Sequence, residues 1–354
     1  MASTADYKLG PHVFPRGWFM VAEASEVTSV PLAVRYFGQD LVLYRGQSGR
    51  VYMVDAYCPH MGTHLAKNTT SYVVRDNIHV EGESIRCPYH AWRFGPDGRC
   101  NQIPYHSGPI PAAAKLRTWT VEERYGCIYT WHDEEGGEPD FALPEIPEWN
   151  DSSYVHWKID HLGTLPCHPV EVIDNMADVA HLGPTHGGPP AYFHNVIEGV
   201  MVRQRQGAEH RSLAKGVMLE TDTFYTGPGL LLSYFNGGFA IMYIAHTPVD
   251  DGTIRAWHAL LSKSPNTTPT EDDVINARAA QAGSLAAFAQ DFEIWANKRP
   301  CLTPLAISSD GAYGKVRMWY RQFYNERAKA VEFQTRAAGF HPVRGMPTEK
   351  PQVA

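Results

Sequence analysis

Two short segments, Cys58-Pro59-His60 and Cys87-Pro88-Tyr89-His90, constrain this chain more than any other feature. Each pairs one cysteine with one histidine, as Cys-x-His and as Cys-x-x-His, and 26 residues separate His60 from Cys87. A zinc site could use the same four residue types, but zinc-finger pairs usually bring two cysteines from one loop and two histidines from the other. Mixed pairs suit a diiron cluster approached from two sides, with thiolates on one iron and imidazoles on the other. Cys58, His60, Cys87 and His90 are therefore the expected ligands of a Rieske-type [2Fe-2S] centre, a one-electron relay. His64 competes with His60 on proximity alone and reads as structural.

The chain around these loops has the pattern of strands. Leu32-Ala33-Val34-Arg35-Tyr36-Phe37, Leu41-Val42-Leu43-Tyr44 and Val51-Tyr52-Met53-Val54 are short β-rich runs, broken where Phe37-Gly38-Gln39-Asp40 and Gln47-Ser48-Gly49-Arg50 would turn hairpins. At 354 residues the chain is long enough for two cores. The acidic, glycine- and proline-rich stretch Glu134-Glu135-Gly136-Gly137-Glu138-Pro139 reads as a linker. The expected division is a β domain over 1–150 and a second domain over 151–354.

In the second half, apolar residues at helical spacing predict a helix from Pro169 to Leu182, ended by Gly183-Pro184. Aromatic and aliphatic runs over roughly 196–262 predict antiparallel strands with a large apolar interior. A long helix starts after Thr270, whose hydroxyl can cap it while Glu271, Asp272 and Asp273 suit its positive end, and runs to about Lys298. The fold class is α+β, an all-β domain followed by an antiparallel sheet with a long C-terminal helix.

A second metal site is expected in Asp174 to His186. His181 and His186 supply two imidazoles, and Gly183-Pro184 can swing the second back toward the first. Two histidines and one carboxylate form the facial triad of non-haem Fe(II) oxygenases, with positions left open for dioxygen and room for substrate nearby. On spacing alone Asp178 and Asp291 both qualify as the third ligand. Asp291 shares a helix face with Phe288 and Trp295, where an unpaired carboxylate would be expensive. Phe224, Tyr234 and Trp257 are candidate pocket residues.

Bulk properties exclude several alternatives. A net charge of -7 spread along the chain argues against nucleic-acid binding, and no apolar run is long enough to span a membrane. The N-terminus carries no export-signal pattern, so the cytoplasm is the expected compartment. Six cysteines are too sparse for a disulfide scaffold. No GxGxxG loop opens a helix, so neither flavin nor NAD is expected on this chain.

Together these residues resemble the Rieske non-haem iron oxygenase alpha subunits, and more narrowly the 3-ketosteroid 9α-hydroxylase oxygenase component. The resemblance covers Asp55 to Gly62, Cys87 to Arg93, Asn175 to His186, Tyr192 to Gly199, Gln290 to Trp295 and Trp319 to Tyr324. It implies a helix-grip catalytic domain like that of START proteins, one Rieske [2Fe-2S] cluster and one mononuclear Fe(II), with Asp291 as third iron ligand. Asn175 and Asp178 then belong to the catalytic machinery. In a head-to-tail homotrimer Asp178 would bridge His181 to His90 of the adjacent subunit. A separate NADH reductase with flavin and a plant-type [2Fe-2S] cluster would deliver electrons, and a hydrophobic, steroid-like substrate would react with dioxygen. Two rival readings are oxidative demethylation of a small methylated or aromatic compound, and an electron-transfer or ligand-binding protein without catalytic iron.

Overall fold

A computed structural model describes residues 2–211 and 214–350; the rest of the chain lies outside the described residues. It divides into two compact units, one of Phe19–His132 and one of Met1–Trp18 with Asp133–Ala354.

Three small antiparallel sheets build the first unit. Leu32–Tyr36, Gln39–Arg45, Val51–Asp55 and Thr118–Trp119 form one, and Val80–Glu81, Ser84–Arg86, Arg93–Phe94 and Cys100–Gln102 another. Val121–Arg124, Cys127–His132 and Gly17–Glu23 form the third. The expected first hairpin turns at Phe37 and Gly38, whose φ of 52° and 69° give the two left-handed residues that match strand twist. Phe37 tolerates this because its ring is buried, stacked 4.1 Å from His132. Val42, Val54, Ile85, Phe94 and Leu116 pack with Cys58 and Cys87 in one core, so the thiols sit inside the unit.

The second unit is an antiparallel sheet gripping a helix. Its nine described strands centre on six long ones: Pro190–Glu198, Met201–Glu209, Met218–Thr226, Leu230–Phe235, Ala240–Pro248 and Ile254–Lys263. Each pairs with the next in sequence order, so the meander needs only short turns. Gly339–Pro342 extends one edge against Pro190–Glu198; Tyr154–Val155 and Asp160–Leu165 both pair with Ile254–Lys263. The long helix is Glu271–Ala296. Thr270 caps it as expected, its hydroxyl accepting from the Asp273 N–H at 3.3 Å while the Asp273 carboxylate accepts from the Thr270 N–H at 2.8 Å.

Two expectations change. The helix predicted over Pro169–Leu182 stops at Asp174 and a separate single turn follows at Ala180–Leu182. The acidic run after His132 is not a free linker either, and the second unit begins at Asp133 rather than near 150. Arg327 pairs with Asp133, the Arg327 N–H donates to Glu135 at 2.6 Å, and Glu134 accepts the N–H groups of Val13 and Phe14 at 2.9 and 3.0 Å. Carboxylates that look like linker chemistry in sequence serve here as acceptors for an arginine and for otherwise orphaned amides.

Candidate metal centres and cavity

The two cysteine-histidine loops have the same construction. The Gly62 N–H donates to the Cys58 carbonyl at 2.9 Å, and the Ala91 N–H to the Cys87 carbonyl at 3.0 Å. Each of these residues lies four after its cysteine and has positive φ, 70° at Gly62 and 58° at Ala91. Alanine is strained in that conformation, the kind of local cost that persists where a loop must present ligands. Tight closure turns both thiols inward, each 2% exposed, and leaves His60 and His90 toward the surface.

The imidazole rings stand 4.8 Å apart, steeply inclined at 68°, and Trp92 stacks flat on His60 at 4.4 Å. The two thiols are hydrogen-bonded to each other, which lowers the Cys87 pKa, helped by the backbone N–H groups of Tyr89 and His90, and raises that of Cys58 together with burial. Two buried thiols within hydrogen-bonding reach of each other, with two imidazoles at the outer end, fit a Rieske [2Fe-2S] cluster. His64 is turned to another use. Its Nδ1 accepts from the N–H groups of Ala66 and Lys67 at 3.1 and 3.3 Å.

In the second unit His181, His186 and Asp291 each offer a ligand atom, and these atoms lie within 4.8 Å of one another. The His181 and His186 rings are 5.0 Å apart and nearly perpendicular. His186 Nε2 stands 3.5 Å from an Asp291 oxygen. Both rings are held from behind: His181 Nδ1 meets the Asp178 carbonyl at 2.7 Å, and His186 Nδ1 meets Gln290 Oε1 at 2.9 Å. Acceptors at both Nδ1 atoms put the protons there and leave the Nε2 lone pairs free for a metal. Burial disfavours the His186 imidazolium, but Asp291 and Gln290 outweigh it and raise its pKa.

Asp291 is 6% exposed, and the Asn175 amide donates to its Oδ2 at 3.0 Å. Asn175 and the His186 ring at 3.5 Å leave a buried carboxylate with acceptor capacity to spare, so the donor set fits a divalent metal with open positions. Asp178 falls outside this group. Its carboxylate accepts from the backbone of Ala180 and His181 at 3.1 and 3.2 Å and is 27% exposed. Burial opposes its ionisation, yet His181 and Tyr313 hold its pKa below the usual carboxylate value.

A cavity of about 380 Å³ opens onto this triad. Val172, Met176, Leu231, Met242, Ile244, Phe288 and Trp295 give it apolar walls, while Gln204, Gln206, Thr221, Thr223 and Ser233 line the sheet side. The three expected pocket residues are not there. Sheet register places Thr223 opposite Ser233, and Asp222 opposite Tyr234, so Phe224 and Tyr234 point from the other face, where their rings stack at 5.8 Å. Trp257 pairs with Ala245 rather than Ile244, which also turns it away. The sequence reading also missed Gln290 behind His186, and His210, whose Nε2 lies 2.6 Å from the His186 carbonyl. A glutamine beside Asp291 and a histidine on a strand carry no distinguishing spacing.

Residues 17–120 match the Rieske [2Fe-2S] domain family, and residues 130–324 match the 3-Ketosteroid 9alpha-hydroxylase C-terminal domain family. The 3-ketosteroid-9-alpha-monooxygenase oxygenase component of Mycolicibacterium smegmatis is 32% identical, the match covering 89% of this chain and 83% of that one. Cholesterol 7-desaturase of Caenorhabditis elegans is 30% identical, over 90% of this chain and 78% of that one. Among solved structures, NdmB of Pseudomonas putida CBB5 superposes with a TM-score of 0.68 at 16% identity, over 92% of this chain and 96% of that one. At that identity it bears on the fold alone.

Proposed function

Because the chain belongs to the 3-ketosteroid 9α-hydroxylase oxygenase family of Rieske non-haem iron oxygenases, we propose that it hydroxylates a steroid or related polycyclic terpenoid, with a 3-ketosteroid at the 9α position as first choice. As the oxygenase component of a two-component monooxygenase it depends on a separate reductase. The observation that carries the substrate class is the cavity: about 380 Å³, apolar on most sides and open to His181, His186 and Asp291. That volume lies within the range of pockets that enclose a rigid drug-sized skeleton. The names of two relatives, one a 3-ketosteroid monooxygenase and one a cholesterol desaturase, point the same way.

Cys58, Cys87, His60 and His90 would hold the [2Fe-2S] cluster and His181, His186 and Asp291 the iron, supplying electron relay and dioxygen activation respectively. The protein's own groups set the conditions. Phe288, Trp295, Met242 and Ile244 exclude water and hold an apolar skeleton beside the triad. Asn175 fixes the rotation of the Asp291 carboxylate. The Asp178 carbonyl and Gln290 fix the two imidazoles in the tautomer that presents Nε2.

We further place Asp178 at the junction of two subunits in a homotrimer, pairing with His90 of the partner subunit. Its partly exposed carboxylate beside His181 and the outward position of His90 in its own loop support this. An NADH-dependent reductase carrying flavin and a [2Fe-2S] cluster is the expected donor. No described helix is long and apolar enough to cross a membrane. Six free cysteines suit a reducing compartment, and we place the protein in the cytoplasm.

The test is turnover with a reductase, NADH and a steroid panel, following oxygen uptake and identifying products by mass spectrometry and NMR. A monohydroxylated steroid supports the reading. Oxygen uptake and demethylated product from a methoxy-aromatic, with none from any steroid, would sink it.

A further inference from the structure

The sheet wall of the cavity is more polar than an apolar skeleton needs. Two cross-strand rows lie on it: Gln204, Thr223 and Ser233 in one, and Gln206 and Thr221 in the next. The first row is internally satisfied. Thr223 and Ser233 share a hydrogen bond of 2.6 Å, and Gln204 Nε2 donates at 3.2 Å to the carbonyls of Asn175 and Met176. The second row is not. Gln206 Oε1 and Thr221 Oγ1 are buried and have no hydrogen-bond partner among the described residues, although Thr221 is only 8% exposed.

Gln206 and Thr221 are directly opposed across Met201–Glu209 and Met218–Thr226, and both line the cavity. Directly opposed side chains stand about 5 Å apart at Cβ, a gap that one ligand oxygen within about 2.8 Å of each can bridge. Buried polar atoms left unpaired are costly, and inside a cavity they call for a partner from its contents. The two atoms also specify the group. Gln206 Oε1 only accepts, whereas the Thr221 hydroxyl donates or accepts. A ligand hydroxyl can donate to Gln206 while accepting from Thr221; a ketone can only accept from Thr221; a bare ring carbon satisfies neither.

We infer that Gln206 and Thr221 form a polar subsite that takes an oxygen function at one end of the substrate's ring system, a hydroxyl better than a ketone. This rests on the steroid reading above, and it adds which wall of the cavity selects among steroids and by which chemistry. Apolar walls fix the skeleton, and the pair fixes its direction, which in turn decides which carbon faces the triad.

The experiment measures affinity rather than turnover. Iron-loaded protein, wild type, Thr221→Val and Gln206→Met, is titrated by the fluorescence of its cavity tryptophan with steroids whose oxygen at either end is a hydroxyl, a ketone or absent. At one end, removing the oxygen is expected to weaken binding to wild type roughly tenfold. For a ketone that loss is expected to vanish in Thr221→Val and to persist in Gln206→Met, and for a hydroxyl to shrink in both; each variant binds the deoxygenated steroid as tightly as wild type does. A melting temperature for ligand-free Thr221→Val at or above wild type is expected, since the change removes an unpaired buried hydroxyl. Steroid binding with no oxygen preference, or with the full wild-type preference kept in Thr221→Val, overturns the subsite and leaves the steroid reading intact. A clear fall in the melting temperature of Thr221→Val shows that the hydroxyl has a structural partner and also overturns it. No affinity for any steroid overturns the substrate class, and the subsite with it.

Discussion

Replacing Arg317 with leucine should loosen the catalytic unit by an amount that can be worked from its surroundings. Arg317 Nε donates to Asp174 Oδ1 at 2.9 Å, a second guanidinium N–H reaches the other carboxylate oxygen, and Nη1 donates to the carbonyls of Cys301 and Leu302 at 2.6 and 2.9 Å. The side chains are 13% and 8% exposed. Breaking a buried pair from one side costs about 3–5 kcal/mol because the remaining charge is left unpaired, and the slight exposure of Arg317 argues for about 3. For a unit of this size each kcal/mol moves the melting temperature by about 2–4 °C, so a fall of roughly 6–12 °C is expected by calorimetry. The defect should depend on pH. Burial already raises the Asp174 pKa against the pull of Arg317. A carboxyl whose folded pKa lies above its unfolded value favours the fold below the unfolded pKa, and that contribution is lost as pH rises through the folded one. Without Arg317 the folded pKa climbs further, so the gap between variant and wild type should be small near pH 4 and widen toward pH 8. Asp174→Asn combined with Arg317→Leu should recover much of the loss. A defect under about 1 kcal/mol, or a double variant no better than the single one, would refute the argument.

Further outcomes follow from the two metal centres and from buried histidines. His181→Ala should lower iron from about three to about two per chain and abolish turnover while leaving the visible spectrum of the cluster unchanged; loss of that spectrum would contradict two separate sites. Burial depresses both His168 and His246 to about 3. Since each binds a proton at about 6.5 when unfolded, stability is fully present above that pH and falls toward pH 3, by about 1.4 kcal/mol per unit for each histidine. A denaturation series in which His246→Gln failed to flatten this acid slope would show that other groups set it.

How much of this was legible in the sequence depends on how far apart the cooperating residues lie. Cys58 with His60 and Cys87 with His90 declare themselves because each loop's ligands are neighbours, and the cap at Thr270 is a contact between residues three apart. His181 and His186 are equally local, but the helix expected to carry His181 ends at Asp174. Local periodicity cannot show that Gln204 and Asn195 take the backbone carbonyls around Asn175 and Met176 and hold that segment.

The sequence alone thus determined the chemistry: which side chains could ligate metal, and that a β domain precedes a sheet with a long helix. The apolar helix face already favoured Asp291 over Asp178, and the tertiary structure groups Asp291 with His181 and His186 because the helix Glu271–Ala296 passes a segment more than a hundred residues earlier. It also decided which face of the sheet meets the cavity. Strands with apolar residues on both faces leave that choice open, and pairing across six strands turned Thr221, Thr223 and Ser233 inward and Phe224, Tyr234 and Trp257 away.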